Sequence, residues 1–279
     1  MKIVRALVGT FLLFFTAKAQ NGYLTLKGWQ PAAGTWSHIF NSPAAPFVNP
    51  AAFASLSRPA LLLVSQKPFY INELSELQAF AGWPVANGSG AGLVISRFGN
   101  ASFNEIHYGL GYGLHLNSHW QLGVSFLYLT GKFSGFSARS GLQAATGLQW
   151  FNNGFSAGLF YHSAAIQLPY KTSRLWLIGG GMGKDWSGQL YTDGSVYFTV
   201  YEGLVASISL QYQLLEAWRL AIRIQSNPLR YGFESGYFHK AISLRIYSEW
   251  HPQIGWSPGL VLGISKKQKT AAHEQDNIY

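Results

Sequence analysis

Polar and apolar positions alternate along most of this chain. From Ile106 to Leu116, the residues Ile106, Tyr108, Leu110, Tyr112, Leu114 and Leu116 share one face. His107, Gly109, Gly111, Gly113 and His115 share the other. In Leu204 to Leu214, the set Leu204, Ala206, Ile208, Leu210, Tyr212 and Leu214 opposes Val205, Ser207, Ser209, Gln211 and Gln213. Trp218, Leu220, Ile222 and Ile224 oppose Arg219, Ala221, Arg223 and Gln225 in the same way. Successive side chains of a strand point to opposite faces, so each segment predicts a strand with one apolar face. Strand centres fall near residues 63, 79, 94, 110, 124, 146, 158, 179, 197, 209, 222, 233, 245 and 262. That is about fourteen strands.

The links between these centres differ. Asn87-Gly88, Asn117-Ser118, Asn153-Gly154, Trp186-Ser187, Glu216-Ala217 and His239-Lys240 predict tight turns at every second link. Asn-Gly tolerates the positive φ that a two-residue hairpin requires. Several intervening links read as longer, over 67–75, 131–140, 163–174 and 251–258, whereas the ninth and eleventh look short.

A soluble antiparallel sheet also alternates, because it buries one face. Three features point to a membrane instead. The strands approach the 9–11 residues that cross a bilayer when tilted. Trp83, Trp120, Trp150, Trp218, Trp250 and Trp256 stand at strand ends, where an amphipathic ring suits the lipid–water boundary. The third is the start of the chain. Lys2 and Arg5 precede an apolar stretch, Ala6 to Thr16, and Ala17-Lys18-Ala19 follows. This is the layout of a secretory signal over residues 1–19, with cleavage near Ala19. The stretch is too short to span a bilayer as a helix, which needs about 20 apolar residues. No cysteine follows it, so a lipid-anchored start is excluded. A sheet immersed in hydrocarbon must close, since open edges find no water there. The expected fold is therefore all-β: a transmembrane antiparallel β-barrel over residues 59–265. Its expected location is the bacterial outer membrane, with lipid as its first partner.

Composition agrees. Only 11% of the 279 residues are charged and 16% are aromatic, against about 25% charged in soluble domains. Without residues 1–19, 17 basic face 11 acidic residues, a net charge of +6. Beyond Lys266, Lys267 and Lys269 the basic residues form no cluster, so nucleic acid is not an expected partner. Arg219, Arg223, Glu234, Arg245 and Glu249 alternate with apolar positions, which places them toward the lumen. Facing lipid at midplane, an Arg would cost about 2–4 kcal/mol. A salt-bridge network filling the barrel is the expected role, ahead of a selectivity device. Residues 20–58 are rich in Pro, Ala, Gly and Asn and read as a segment folded into the barrel mouth or lumen. A disordered periplasmic leader is the alternative. Residues 266–279 read as a polar tail.

Catalytic and ligand motifs are weak. Gly154-Phe155-Ser156-Ala157-Gly158 spells G-x-S-x-G but lies within an alternating strand, not the strand–turn–helix of a nucleophile elbow. His162-Ser163 has no evident acidic or amide partner, and reads as a satisfied loop histidine. The histidines lack metal-binding spacing. No helix follows Gly179-Gly180-Gly181-Met182-Gly183 to hold phosphate, so these glycines suit a bend or room for a plug. No enzymatic activity and no cofactor are expected.

Asn49-Pro50-Ala51, KPFYINELS (67–75), ISRFGNASFNE (95–105), SNPLRYGFESGY (226–237) and EWHPQIGWSPGLVLGIS (249–265) carry a resemblance. In order and spacing they resemble the PorV/PorQ-type outer-membrane proteins of Bacteroidetes, whose barrels are similar to the FadL long-chain fatty-acid transporter. The resemblance implies a fourteen-stranded barrel with an N-terminal plug, and Asn49, Pro50 and Ala51 match the plug-proximal motif. It implies a non-enzymatic accessory to protein secretion of type IX kind or cell-surface export, with secretion-machinery or secreted-protein partners. The alternative is a FadL-like channel for hydrophobic small molecules. A third reading is a purely structural barrel closed by Arg219, Arg223, Arg245 and Glu249.

Overall fold

A computed structural model describes residues 34–265 except Asn87, Phe136, Ser137, Pro169, Tyr170 and Tyr201. The expected signal, residues 20–33 and the tail from 266 lie outside the described residues. Fourteen strands form the wall: β1 Ala60–Gln66, β2 Glu76–Ala86, β3 Ser89–Gly99, β4 Phe103–His115, β5 Trp120–Phe133, β6 Arg139–Asn152, β7 Phe155–Leu168, β8 Lys171–Asp185, β9 Leu190–Thr199, β10 Gly203–Leu215, β11 Trp218–Gln225, β12 Arg230–His239, β13 Ile242–His251 and β14 Gly255–Ser265. Each pairs antiparallel with its neighbours in sequence, and β1 pairs with β14 to close the barrel, Leu63 opposite Leu262. Closure leaves no free sheet edge for hydrocarbon to strand.

The two faces separate as the alternation predicts. On β5 the outward set Trp120, Leu122, Val124, Phe126 and Tyr128 is exposed, while Gln121 and Ser125 between them are fully buried. Those nine residues, tilted as barrel strands are, rise about 23 Å, close to the apolar band of about 25 Å in such barrels. Aromatic pairs mark both rims of the band. Trp120 is registered with Trp150, and Trp218 meets Tyr237 at 5.5 Å, toward the end where β1 begins and β14 finishes. Trp176 meets Phe198 at 5.5 Å, and Trp250 meets Trp256 at 6.3 Å, toward the far end. Among the described residues no helix is long and apolar enough to cross a membrane.

The links depart from expectation at the far end. Among the described residues, the far-end link 67–75 is the long one. It holds two short 3-10 turns, Pro68–Tyr70 and Asn72–Leu74. The stretches 163–174 and 251–258 are instead largely strand, and 131–140 is strand at both its ends. The reason is that polarity changes where the wall leaves the lipid, whereas hydrogen-bonded pairing continues into water. Outward residues there, Lys132, Gln167, Thr172 and Arg174, are exposed and polar, which read as loop in the sequence. At the near end, the twelfth turn is Lys240-Ala241 rather than His239-Lys240, with Lys240 at φ +52.

Residues 34–58 lie inside this wall. Asn49 starts a 3-10 turn, Pro50–Ser55, and its side-chain oxygen accepts the Ala51 amide at 3.1 Å. Proline at the first position loses no needed donor and already holds a suitable φ. The Asn-Pro-Ala triplet is thus a capped turn, and all three residues are buried.

Candidate functional site

The near-end half of the lumen is shaped to hold residues 34–58. Glycine on inward positions lets the segment approach the wall backbone. A methyl group on Gly92 or Gly111 would strike the ring of Phe53. One on Gly123 would strike the Pro50 carbonyl, and one on Gly181 or Gly183 would strike Trp36. The glycine run 179–183 is therefore partly a seat for Trp36, while Gly180 faces outward beside Leu159.

Hydrogen bonds tie the same segment to β5–β8. Gln149 Nε2 donates to the Thr35 carbonyl at 3.0 Å, Ser37 Oγ to Asp185 Oδ1 at 2.6 Å, and Ser55 Oγ to Gln121 Oε1 at 3.0 Å. Ser156, the centre of the G-x-S-x-G string, donates to the Trp36 carbonyl. Its hydroxyl is engaged in holding the segment, and the preceding Gly154 is simply a hairpin glycine at φ +72. His162 is not a loop residue. It lies buried on β7, where Nε2 donates to the Val48 carbonyl at 3.0 Å and Nδ1 accepts from the Gln143 amide at 3.0 Å. The amide partner sits nineteen residues away on β6, and strand register alone brings it there.

Apolar packing completes the seat. Ala44, Phe47, Phe53 and Leu56 form one cluster with wall residues that include Leu62, Val64, Phe80, Val94, Leu127 and Leu129. Trp36 and Phe40 form another with Phe160, Leu177, Tyr191, Tyr197 and Val205. The inner face of β1–β5 and of β7–β10 thus offers apolar patches to the segment, beside the polar side chains that hydrogen-bond it.

The charged residues occupy a different sector. All five expected lumen charges point inward. Arg245 Nη1 bridges Glu234 Oε1 at 3.1 Å, and both side chains are buried. Glu249 Oε1 pairs at 2.8 Å with Arg230, a partner the sequence reading missed because it stands at the first position of β12. Arg223 Nη2 donates to Ser207 Oγ at 3.0 Å. Arg219 donates from Nε to Gln213 Oε1 at 3.0 Å. Its guanidinium lies 4.5 Å from the ring centres of both Phe40 and Phe238. Aromatic faces attract such a cation, which couples the inserted segment to β11 and β12. A cavity of about 330 Å³ opens beside this clamp, lined by Phe40, Leu56, Arg58, Leu62, Arg219, Phe238, Lys240 and Arg245 among others.

Among the described residues no group of His, Asp or Glu side chains is arranged to hold a metal ion. The site contains apolar walls, a seated segment and a charged sector.

No family model matches the sequence, and no curated protein does. Solved structures do match in fold. The P. putida toluene transporter TodX superimposes with a TM-score of 0.55 at 11% identity, covering 82% of this chain and 94% of that one. The CymD monoaromatic hydrocarbon channel gives a TM-score of 0.54 at 11% identity, covering 81% and 93%. A Pseudomonas aeruginosa FadL homologue gives 0.54 at 12% identity, covering 81% and 93%. The barrel has the fold of these FadL-like structures.

Proposed function

We propose that this chain is a non-enzymatic outer-membrane channel for hydrophobic small molecules, exported by a signal removed near Ala19. The observation that carries the reading is the apolar inner wall directly behind the inserted segment. Phe47, Phe53 and Leu56 rest on Leu62, Val64, Phe80, Val94 and Leu127. A water-filled pore lines its lumen with polar groups. An apolar molecule instead gains by leaving water for a wall of this kind, at about 25 cal/mol per Å² of surface buried. Residues 34–58 serve as the plug in this reading, and ligand passage requires their contacts with β1–β5 to loosen. The fold likeness to structures described as hydrocarbon channels points the same way.

The secretion-accessory reading rests on the sequence motifs. Apart from 67–75, the far-end links are short, among them 100–102, 226–229 and 252–254, and offer a protein partner little loop surface. The channel reading is preferred for that reason.

Uptake decides the matter. Cells lacking the gene should take up radiolabelled long-chain fatty acids or monoaromatic hydrocarbons several-fold more slowly, with recovery on complementation. Unchanged uptake of both classes would remove the proposal. Recovery of secretion-machinery proteins with the tagged, detergent-solubilised barrel would favour the other reading.

A further inference from the structure

The cavity at the near end carries more positive charge than the fold requires. It measures about 330 Å³ and lies between the inserted segment and the first inward row of β10–β13. That row is Gln213, Arg219, Gly236 and Arg245, side by side in register. A water molecule's share of liquid volume is about 30 Å³, so the space holds a small organic molecule and not only an ion.

The charged lining is Arg58, Arg219, Lys240 and Arg245 against Glu216. Arg245 already neutralises Glu234, at 3.1 Å. The other three bases face one acid, a formal excess of two positive charges. None of the three has a carboxylate within 4 Å among the described residues. Arg58, Glu216 and Lys240 are exposed, so the cavity meets water at this end of the barrel. Cations grouped at such a mouth attract anions from solution.

Arg219 is set as a receptor before any ligand arrives. Its Nε is engaged by Gln213 Oε1 at 3.0 Å, and its guanidinium lies 4.5 Å from the ring centres of Phe40 and Phe238. Phe40 is itself fixed. It stacks on Tyr191 at 5.7 Å, and its amide donates to Ser37 Oγ at 2.8 Å. A methyl group on Gly236 would strike both Arg245 and Phe238, so this glycine lets the two side chains lie across β12. The Nη1 and Nη2 groups of Arg219 have no protein partner among the described residues, and they are not sealed from the cavity. A planar fork held this way matches two oxygens of an oxyanion, and little ordering remains for binding to impose. Beside it the half-buried Phe238 ring and the exposed Ile39 line the same space, an apolar surface for whatever the anion is attached to.

We propose that this cavity binds a small organic phosphate. The phosphoryl oxygens of a phosphomonoester sit on the Arg219 fork, with Arg58 and Lys240 at the mouth and the organic group against Phe238 and Ile39. A phosphomonoester carries a charge of about −1.5 to −2 at pH 7, which matches the excess of two positive charges. A carboxylate would leave one of them uncompensated. The site does not rest on the hydrophobic-channel reading, since binding and not passage defines it.

The test is isothermal titration of the refolded full-length barrel in detergent with phenyl phosphate. Saturable binding of one molecule per barrel is expected. Inorganic phosphate, which lacks the ring, and benzoate, which lacks the second charge, should each bind about threefold more weakly or worse. Arg219→Gln should weaken phenyl phosphate binding at least about tenfold, the loss of a charge-assisted bidentate contact. Glu216→Gln removes the opposing acid on an exposed turn and should tighten binding about twofold or more, a gain that misfolding does not produce. Heat-modifiable gel mobility reports whether each variant has closed its barrel. Absence of saturable binding, inorganic phosphate or benzoate binding as tightly as phenyl phosphate, a folded Arg219→Gln variant of unchanged affinity, or a Glu216→Gln variant that binds no tighter would overturn the proposal.

Discussion

Asn49 stands directly over Gly147 of β6, so close that any side chain at that glycine would collide with the Asn49 carboxamide oxygen. The same oxygen caps the turn that follows by accepting the Ala51 amide. One contact therefore fixes both the local turn and its place on the wall. Gly147→Val should displace Asn49 and loosen the segment, with a cost of about 1–3 kcal/mol for overpacking. Limited proteolysis in detergent is the measurement. Faster cleavage within 34–58, with the barrel intact, is the expected result, and unchanged cleavage would show that the seat is not needed.

Phe53 fills the slot between Gly92 and Gly111 and meets Phe47 edge-on at 5.3 Å. Its side chain is fully buried. Phe53→Ala should destabilise the folded state by about 3–5 kcal/mol, the range for emptying a buried aromatic site. Urea unfolding in lipid vesicles reads this directly. A shift below 1 kcal/mol would mean that the wall collapses onto the gap, roughly as the best-relaxing core sites do.

Glu234 and Arg245 form a buried pair in which each charge needs the other. Glu234→Ala should cost about 3–5 kcal/mol, because it leaves a buried guanidinium uncompensated. Replacing both partners, with Glu234→Leu and Arg245→Met, should recover most of that loss. The double variant discriminates between a pair that stabilises the fold and one that is costly to break but not needed for stability.

Ile222 faces outward and Arg223, the next residue, faces inward. Ile222→Arg should destabilise the barrel by about 2–4 kcal/mol if the site lies near the bilayer midplane. Folding equilibria into vesicles of defined thickness test this. A tolerated arginine at 222 would contradict the placement of β11 within the apolar band.

Strand number and facing were legible because each residue's environment depends on parity alone. Leu204 and Val205 differ in exposure for that reason, and a tally along the chain finds it. The far-end links misread because side-chain polarity reports water, not pairing: Gln167 and Thr172 are exposed yet lie on paired strands. His162 misread for a related reason. Its two partners, Gln143 and the Val48 carbonyl, come from a neighbouring strand and from a segment 114 residues away. The inward arginines were visible, but Arg230 was not, because a strand's first residue carries too little alternation around it.

Read along the chain, alternation determined antiparallel strands, about fourteen of them, and the inward direction of Arg219, Arg223, Glu234, Arg245 and Glu249, while strand length, aromatic strand ends and the signal-like start pointed the apolar side at lipid. Parity is a local property, so one chain read in order contains it. Only the tertiary structure decided that residues 34–58 rest on glycines 92, 111, 123, 147 and 181, and that Arg245 pairs with Glu234 while Glu249 pairs with Arg230. Those contacts depend on register and curvature around the whole barrel, and both arise when the sheet closes.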